Sequence, residues 1–215
     1  MRPSSLGKDQ VRQSAIFAAG EGNEWFERNK NEPRNHIVNA VLTSIAGQPK
    51  TIVEIGCGYG RYLYEMSKRY NSSKCIGFDP STEAIDYGRR KFPHIDLRVG
   101  TAGSFYGIHM DVLVFGFCLY LVDRHDLFRV VDDADWCLNE NGYLIIHDFD
   151  QEKPEKVPYK HADGVYSYKM DYSKLWLANP AYELVSKTKT TEGESITVIQ
   201  KKGWNRWRSS EDCKI

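Results

Sequence analysis

The chain has 215 residues, of which 41% are hydrophobic and 27% charged, enough for one domain with a sizeable core. Lys+Arg and Asp+Glu are both 29, so no global basic field exists to hold nucleic acid, and DNA or RNA is disfavoured as a substrate. No apolar run approaches the length of a membrane span, and Met1-Arg2-Pro3-Ser4-Ser5 lacks the apolar region of a signal peptide. Cys57, Cys75, Cys118, Cys137 and Cys213 are scattered and show no C-x-x-C pairing. They read as small hydrophobes in a reducing cytoplasm, with neither a disulfide framework nor a bound metal expected.

In chain order, the run Glu21-Gly22-Asn23-Glu24-Trp25-Phe26-Glu27-Arg28-Asn29 reads as an amphipathic helix. Ile37, Val38, Val41, Leu42 and Ile45 mark one face of a second helix, closed by Gly47 and Pro49. The first strand is expected from Thr51 to Gly56. A helix follows with Leu63, Met66 and Tyr70 on its inner face. Lys74 to Asp79 is a second strand, and Ser81 caps a helix running to about Lys91. Ile95 to Gly100 is a third strand. Asp111 to Phe117 is a fourth, apolar enough for burial on both faces. Leu127, Val130, Val131, Ala134 and Leu138 line another helix, and Gly142 to Phe149 is a fifth strand. Residues 151–170 are expected as loop, followed by a short helix near Tyr172 to Ala178. Tyr182 to Thr190 and Ser195 to Lys201 alternate as an antiparallel hairpin. The terminal run from Lys201 to Arg208 is basic and aromatic, the composition of a solvated patch. Alternating strands and helices predict an α/β fold with a mostly parallel sheet and right-handed crossovers.

Val53-Glu54-Ile55-Gly56-Cys57-Gly58-Tyr59-Gly60 is the most informative stretch. A β-branched strand runs into an acidic residue and three alternating glycines, then a helix. Glycines let the backbone turn sharply and approach a ligand. A dinucleotide site would need G-x-G-x-x-G at a pyrophosphate. Here the spacing is G-x-G-x-G, and Glu54 would repel phosphates. The acidic residue suits a cationic or hydroxyl-bearing ligand better.

This combination resembles motif I of the class I S-adenosylmethionine (SAM) methyltransferases. The resemblance covers about residues 35–202. It implies a Rossmann-like seven-stranded sheet with helices on both faces and a C-terminal antiparallel hairpin. It also implies residues 1–34 as an N-terminal helical lid and residues 35–215 as the SAM-binding domain. Glu54, Gly56, Gly58 and Gly60 would form the cofactor turn. Asp79 would take the ribose hydroxyls, since a carboxylate can accept both. Pro80 and Ser81 would flank the adenine. The family's next loop often offers an acidic side chain to the adenine amine. Thr101 stands in that place here, so backbone groups at Thr101 and Ala102 are left to read the base. Phe115 and its neighbours would lie under the methionine part. The W-F-x-R-N run resembles a closing segment of bacterial methyltransferases from cell-surface sugar gene clusters. There Arg28 could pair with the methionine carboxylate and Trp25 could face the sulfonium.

His147-Asp148-Phe149-Asp150 ends the fifth strand. A His beside carboxylates suits a general base. His147 and Asp148 are therefore catalytic candidates, with His161 in the following loop. That loop, residues 156–172, is aromatic and basic, which fits a sugar, nucleotide-sugar or phosphorylated acceptor. The N-P-P-Y-type motif of exocyclic-amine methyltransferases is absent. The expected activity is methyl transfer to a small molecule, at oxygen before nitrogen or carbon. The alternatives are a non-catalytic SAM-binding module acting as partner or regulator, and a protein or RNA methyltransferase. A homodimer is compatible with the composition.

Overall fold

The structure is a computed structural model that describes residues 12–31, 44–71, 73–189 and 193–202. Of the helix expected around residues 37–45, Ile37 through Leu42 lie outside the described residues. Two short helices open the described chain, α1 (Gln13–Ile16) and α2 (Gly22–Asn29), joined through a π-type turn, Phe17–Glu21. The β-branched run then forms β1 (Thr51–Ile55). From there strands and helices alternate as the sequence predicts: α3 (Arg61–Arg69), β2 (Lys74–Asp79), α4 (Thr82–Lys91), β3 (Asp96–Val99), β4 (Met110–Gly116), α5 (Leu127–Cys137) and β5 (Leu138–Phe149). The Ser81 hydroxyl accepts from the Ala84 N–H at 3.0 Å, capping α4 as its position before Thr82 predicts.

The seven-stranded sheet has the order β3-β2-β1-β4-β5-β9-β8, with β8 (Tyr182–Lys189) and β9 (Glu194–Lys201) forming the antiparallel end. β1 through β5 are parallel. Each face carries its own core. On one, Leu63 and Met66 of α3 and Ile85 of α4 pack against Ile52, Val112 and Ile145. On the other, Val130 and Ala134 of α5 pack against Leu113, Phe115 and Leu144. A strand buried on both faces reads as a continuous apolar run, which is why β4 was legible. No helix among the described residues is long and apolar enough to cross a membrane.

One expectation is corrected. Residues 151–170 are not all loop: β6 (Glu155–Pro158) and β7 (Tyr166–Lys169) pair antiparallel, Glu155 opposite Lys169 and Pro158 opposite Tyr166. The hairpin stands apart from the main sheet. Its strands are short and polar, so little apolar alternation announces them. It is held by contacts across its face, with the Lys156 ammonium 3.8 Å from the Tyr166 ring centroid. α6 (Lys174–Leu177) follows, shorter than predicted, and buries Trp176.

Candidate functional site

A cavity of about 190 Å³ opens at the carboxyl ends of the parallel strands. This is where open α/β sheets bind ligands. Its wall contains Ile55 and Gly56 after β1, Asp79 and Pro80 after β2, and residues 100–103 after β3. Gly116, Phe117 and Cys118 after β4 complete it. Gly56, Gly58 and Gly60 all have positive φ, at 74°, 54° and 82°. At Gly58 nothing lies within 4 Å of where a Cβ would stand, so conformation alone selects glycine there. At Gly56 a Cβ would also sit 2.8 Å from the Cys118 Cβ and 3.0 Å from the Gly116 carbonyl oxygen. Gly56 therefore presents bare backbone to the cavity beside the Cys118 side chain.

Asp79 is fixed by this backbone. The Gly58 N–H donates to one carboxylate oxygen at 2.8 Å, and the Ser81 N–H donates to the other at 2.9 Å. Burial raises its pKa to about 6 against these two bonds. Each oxygen retains a lone pair for a ligand hydroxyl. Glu54 lies beneath, fully buried, with no hydrogen-bond partner on either oxygen among the described residues. Burial, and then the charge of Asp79, push its carboxyl up to about 8. A Cβ on Gly116 would meet Glu54 Oε1 at 2.8 Å, so Glu54 reaches the underside of the cavity wall without lining it.

The N-terminal segment covers the cavity, contributing Arg12, Ser14, Phe17, Gly22 and Trp25 to its wall. It is pinned on three sides. Arg12 grips both carboxylate oxygens of Asp126 at 3.0 and 2.8 Å. The buried Gln13 amide donates to the Leu121 and Tyr166 carbonyls, and accepts from the Tyr166 N–H at 2.7 Å. The Asn23 side-chain oxygen accepts from the Ser81 hydroxyl at 2.8 Å and the Glu83 N–H at 3.2 Å, at the start of α4.

The predicted cofactor residues Gly56, Asp79, Pro80, Thr101, Ala102 and Trp25 meet on one wall. Gly58 and Gly60 shape the turn beside it. Arg28 does not reach the cavity, because its guanidinium is committed to Glu21 and the Tyr159 hydroxyl. Phe115 is fully buried against Phe105 and Trp176, on the core side of β4; Gly116, Phe117 and Cys118 take the wall instead.

The three catalytic candidates are not brought to the cavity wall. His147 is buried, with Nε2 at 3.1 Å from Glu194, and its Nδ1 has no partner among the described residues. One oxygen of Asp148 accepts from the Leu119 and Tyr120 N–H groups at 2.8 and 3.3 Å, and the other accepts from Phe149. That carboxylate holds the turn after β4, though burial raises its pKa to about 7. His161 is exposed on the β6–β7 loop beside the Tyr159 ring.

The sequence family described as "Methyltransferase domain" matches residues 52–142. The sheet order adds the rest of the architecture. The fold is that of the class I SAM-dependent methyltransferases. Among relatives of this fold, the Burkholderia thailandensis 1,6-didemethyltoxoflavin-N1-methyltransferase, solved with 1,6-didemethyltoxoflavin and S-adenosylhomocysteine, superposes with a TM-score of 0.70. The match covers 94% of this chain and 99% of that one at 12% identity. The mitomycin 7-O-methyltransferase superposes at 0.65, covering 90% of this chain and 61% of that one, at 12% identity. A protein of Invertebrate iridescent virus 6 named as a methyltransferase, 235L, is 27% identical over 86 residues. Those residues are 39% of this chain, which spans about a third (32%) of that viral protein's length.

Within the methyltransferase fold, sequence reasoning missed Phe17 on the cavity wall, and it placed Phe117 there only as a neighbour of Phe115. Phe117 has φ 58°, a left-handed conformation that costs a bulky residue energy, and its ring packs 5.1 Å from the His147 ring centroid. Nothing in a linear pattern signals a strained non-glycine residue. The Cys118 thiol, another neighbour of Phe115, donates to the Ile55 carbonyl at 3.4 Å.

Proposed function

We propose that the protein is a SAM-dependent methyltransferase acting on a small-molecule acceptor. The observation that carries this reading is Asp79: a carboxylate held by the glycine turn and facing a cavity to which Gly56 and Gly116 give bare backbone. Such a site takes a ribose diol beside a chain laid along bare backbone. The cosubstrate supplies an electrophilic methyl group, which the acceptor attacks in line as the carbon–sulfur bond breaks. The residues of this chain position the two reactants. Asp79 fixes the ribose, and the backbone from Thr101 to Gly103 faces the base. Phe17, Trp25 and Phe117 exclude water from the far side of the cavity. Bringing reactants together in this way supplies much of the acceleration available to a transfer of this kind.

Among the described residues, the wall carboxylates besides Asp79 are Asp123 and Asp126, and both are engaged, Asp123 by the Gln13 and Ser14 N–H groups and Asp126 by Arg12. This favours an acceptor that is already anionic, or one whose proton passes to solvent. The finer reading is a hydroxyl of a sugar, nucleotide-sugar or phosphorylated metabolite. It is supported by the exposed Lys156 and Lys160 and the half-buried Tyr159 and Tyr166 of the β6–β7 hairpin beside the N-terminal segment. The two structural neighbours act at nitrogen and oxygen of other small molecules, by their names, so the fold itself leaves the acceptor atom open. We also assign residues 1–34 as the lid and residues 35–215 as the catalytic domain, on the strength of the pinning at Arg12, Gln13 and Asn23. Calorimetry with SAM, S-adenosylhomocysteine and NAD tests the central reading. Micromolar-range binding of both sulfur ligands and none of NAD is expected. Heat with neither sulfur ligand would sink it.

A further inference from the structure

Asp126 sits immediately before α5, on the cavity wall, and the positioning of reactants described above gives it no part. It faces the loop after β3. A Cβ at Gly103 would stand 3.5 Å from Nη2 of Arg129, and that same nitrogen lies 3.4 Å from Asp126 Oδ1. Arg12 donates to both Asp126 oxygens from the N-terminal segment. An ionised carboxylate offers about four acceptor sites, so Asp126 can take one more donor. Asp123, the other carboxylate on this part of the wall, turns to the N-terminal segment instead. Its oxygens accept from the Gln13 and Ser14 N–H groups at 3.1 and 3.3 Å.

The loop after β3 spends its own polar groups. The Thr101 N–H donates to the Ser104 hydroxyl at 2.8 Å, and the Thr101 carbonyl accepts from the Ser104 N–H at 2.9 Å. The Thr101 N–H is therefore taken, and the polar reader of a base is sought elsewhere on the wall. Ala102 of this loop and Val130, one turn along α5 from Asp126, give the wall apolar surface on either side of that carboxylate. In the sheet β3 lies next to β2, which ends at Asp79. With the ribose on Asp79, the base falls over residues 100–103, beside Asp126.

We infer that Asp126 accepts the exocyclic amine of the cofactor's base. This rests on the cofactor reading above. An apolar slot that ends on a carboxylate selects a flat ring with a donor on its edge. Adenine presents an amine there. Hypoxanthine presents a carbonyl oxygen in its place, which a carboxylate repels. Because Arg12 grips the same carboxylate, the base and the N-terminal segment meet at one side chain.

Calorimetry of the full chain with S-adenosylhomocysteine and with S-inosylhomocysteine tests the assignment. The parent should prefer the adenine ligand about ten- to a hundredfold, the scale of a hydrogen bond to a charged group. Asp126→Asn offers an amide that both donates and accepts, so it should bring the two affinities within about threefold of each other. Asp126→Ala removes the group and should level them too. Arg12→Gln and Asp123→Asn loosen the N-terminal segment alone, so they should weaken both ligands alike and keep the preference. Circular dichroism checks that each variant is folded. A preference that survives both Asp126 substitutions would overturn the assignment, and so would its absence from a parent that binds S-adenosylhomocysteine; either result leaves the cofactor reading standing. Loss of the preference in Asp123→Asn would move the contact to Asp123 and overturn it as well. Binding of neither ligand by the parent would overturn the cofactor reading together with this one.

Discussion

Two backbone N–H groups hold Asp79, so its removal should have two separable effects. The sequence placed this residue at a strand end, and its spacing from the glycine turn suggested a ribose contact alone. The structure adds the Gly58 and Ser81 bonds, which tie the carboxylate to the turn itself. Asp79→Ala should weaken SAM binding by about 1.5–3 kcal/mol, the scale of hydrogen bonds to a charged group. It should also lower stability by about 1–2 kcal/mol, because two buried N–H groups lose their acceptor. Asp79→Asn keeps one oxygen to accept, so it should recover more stability than affinity. Calorimetry and chemical denaturation on the same preparations separate the effects. Equal loss in both variants would make the residue purely structural. Asp148 shows the opposite limit of legibility. An acidic residue after a strand-end His reads as chemistry in a sequence, yet three backbone N–H groups claim it. Only coordinates reveal that claim, because Leu119 and Tyr120 lie 28 or more positions away in the chain.

The N-terminal segment is the element on which closure of the cavity turns. Its helices are short, and helices this short are marginal without tertiary partners. The partners sit on three other elements: Asp126 at the start of α5, Tyr166 on β7, and Ser81 before α4. Gln13 is the tightest link, since its amide satisfies three backbone groups, one at Leu121 after β4 and two at Tyr166 of β7. Gln13→Ala leaves those groups without their partner, at a cost of about 1–3 kcal/mol. Opening of residues 12–29 should then become easier by about ten- to a hundredfold. Hydrogen exchange should rise there and at Tyr166, while β1 and β4 stay protected. Unchanged exchange over residues 12–29 would show that Gln13 does not govern the segment. The same element marks where sequence reading stops. The amphipathic run from Glu21 to Asn29 was visible as a helix, because that signal is local. Its partners on the β6–β7 hairpin were not, because the hairpin's polar strands were read as loop. Arg28 was therefore assigned to a ligand when Glu21 and Tyr159 hold it.

Across the whole molecule, the parallel core was legible because double-sided burial writes itself as unbroken apolar runs at strand length. The electrostatic cost under that core was not legible, and it sets an expectation for pH. Glu54 has a folded pKa of about 8 against an ordinary value of 4.5, from burial first and Asp79 second. Asp79 is raised to about 6. Asp148 is also raised by burial, to about 7 despite its three N–H donors, so it shares the effect with Glu54. A carboxyl whose folded pKa is raised binds more protons folded than unfolded. Its stabilising contribution is complete below the unfolded pKa and is lost as pH rises through the folded one. The ligand-free protein should therefore lose stability from about pH 4 to about pH 8 and level off above, by a few kcal/mol if Glu54 ionises in place. Glu54→Gln keeps the size of the side chain and removes the titration. It should remove the loss above about pH 7 and leave the part below it that Asp79 and Asp148 contribute. Urea midpoints at intervals across this range decide the matter. A slope that survives Glu54→Gln unchanged would place the titrating group elsewhere, and a stability that rises with pH would show that Glu54 is ionised beneath the cavity in the folded protein.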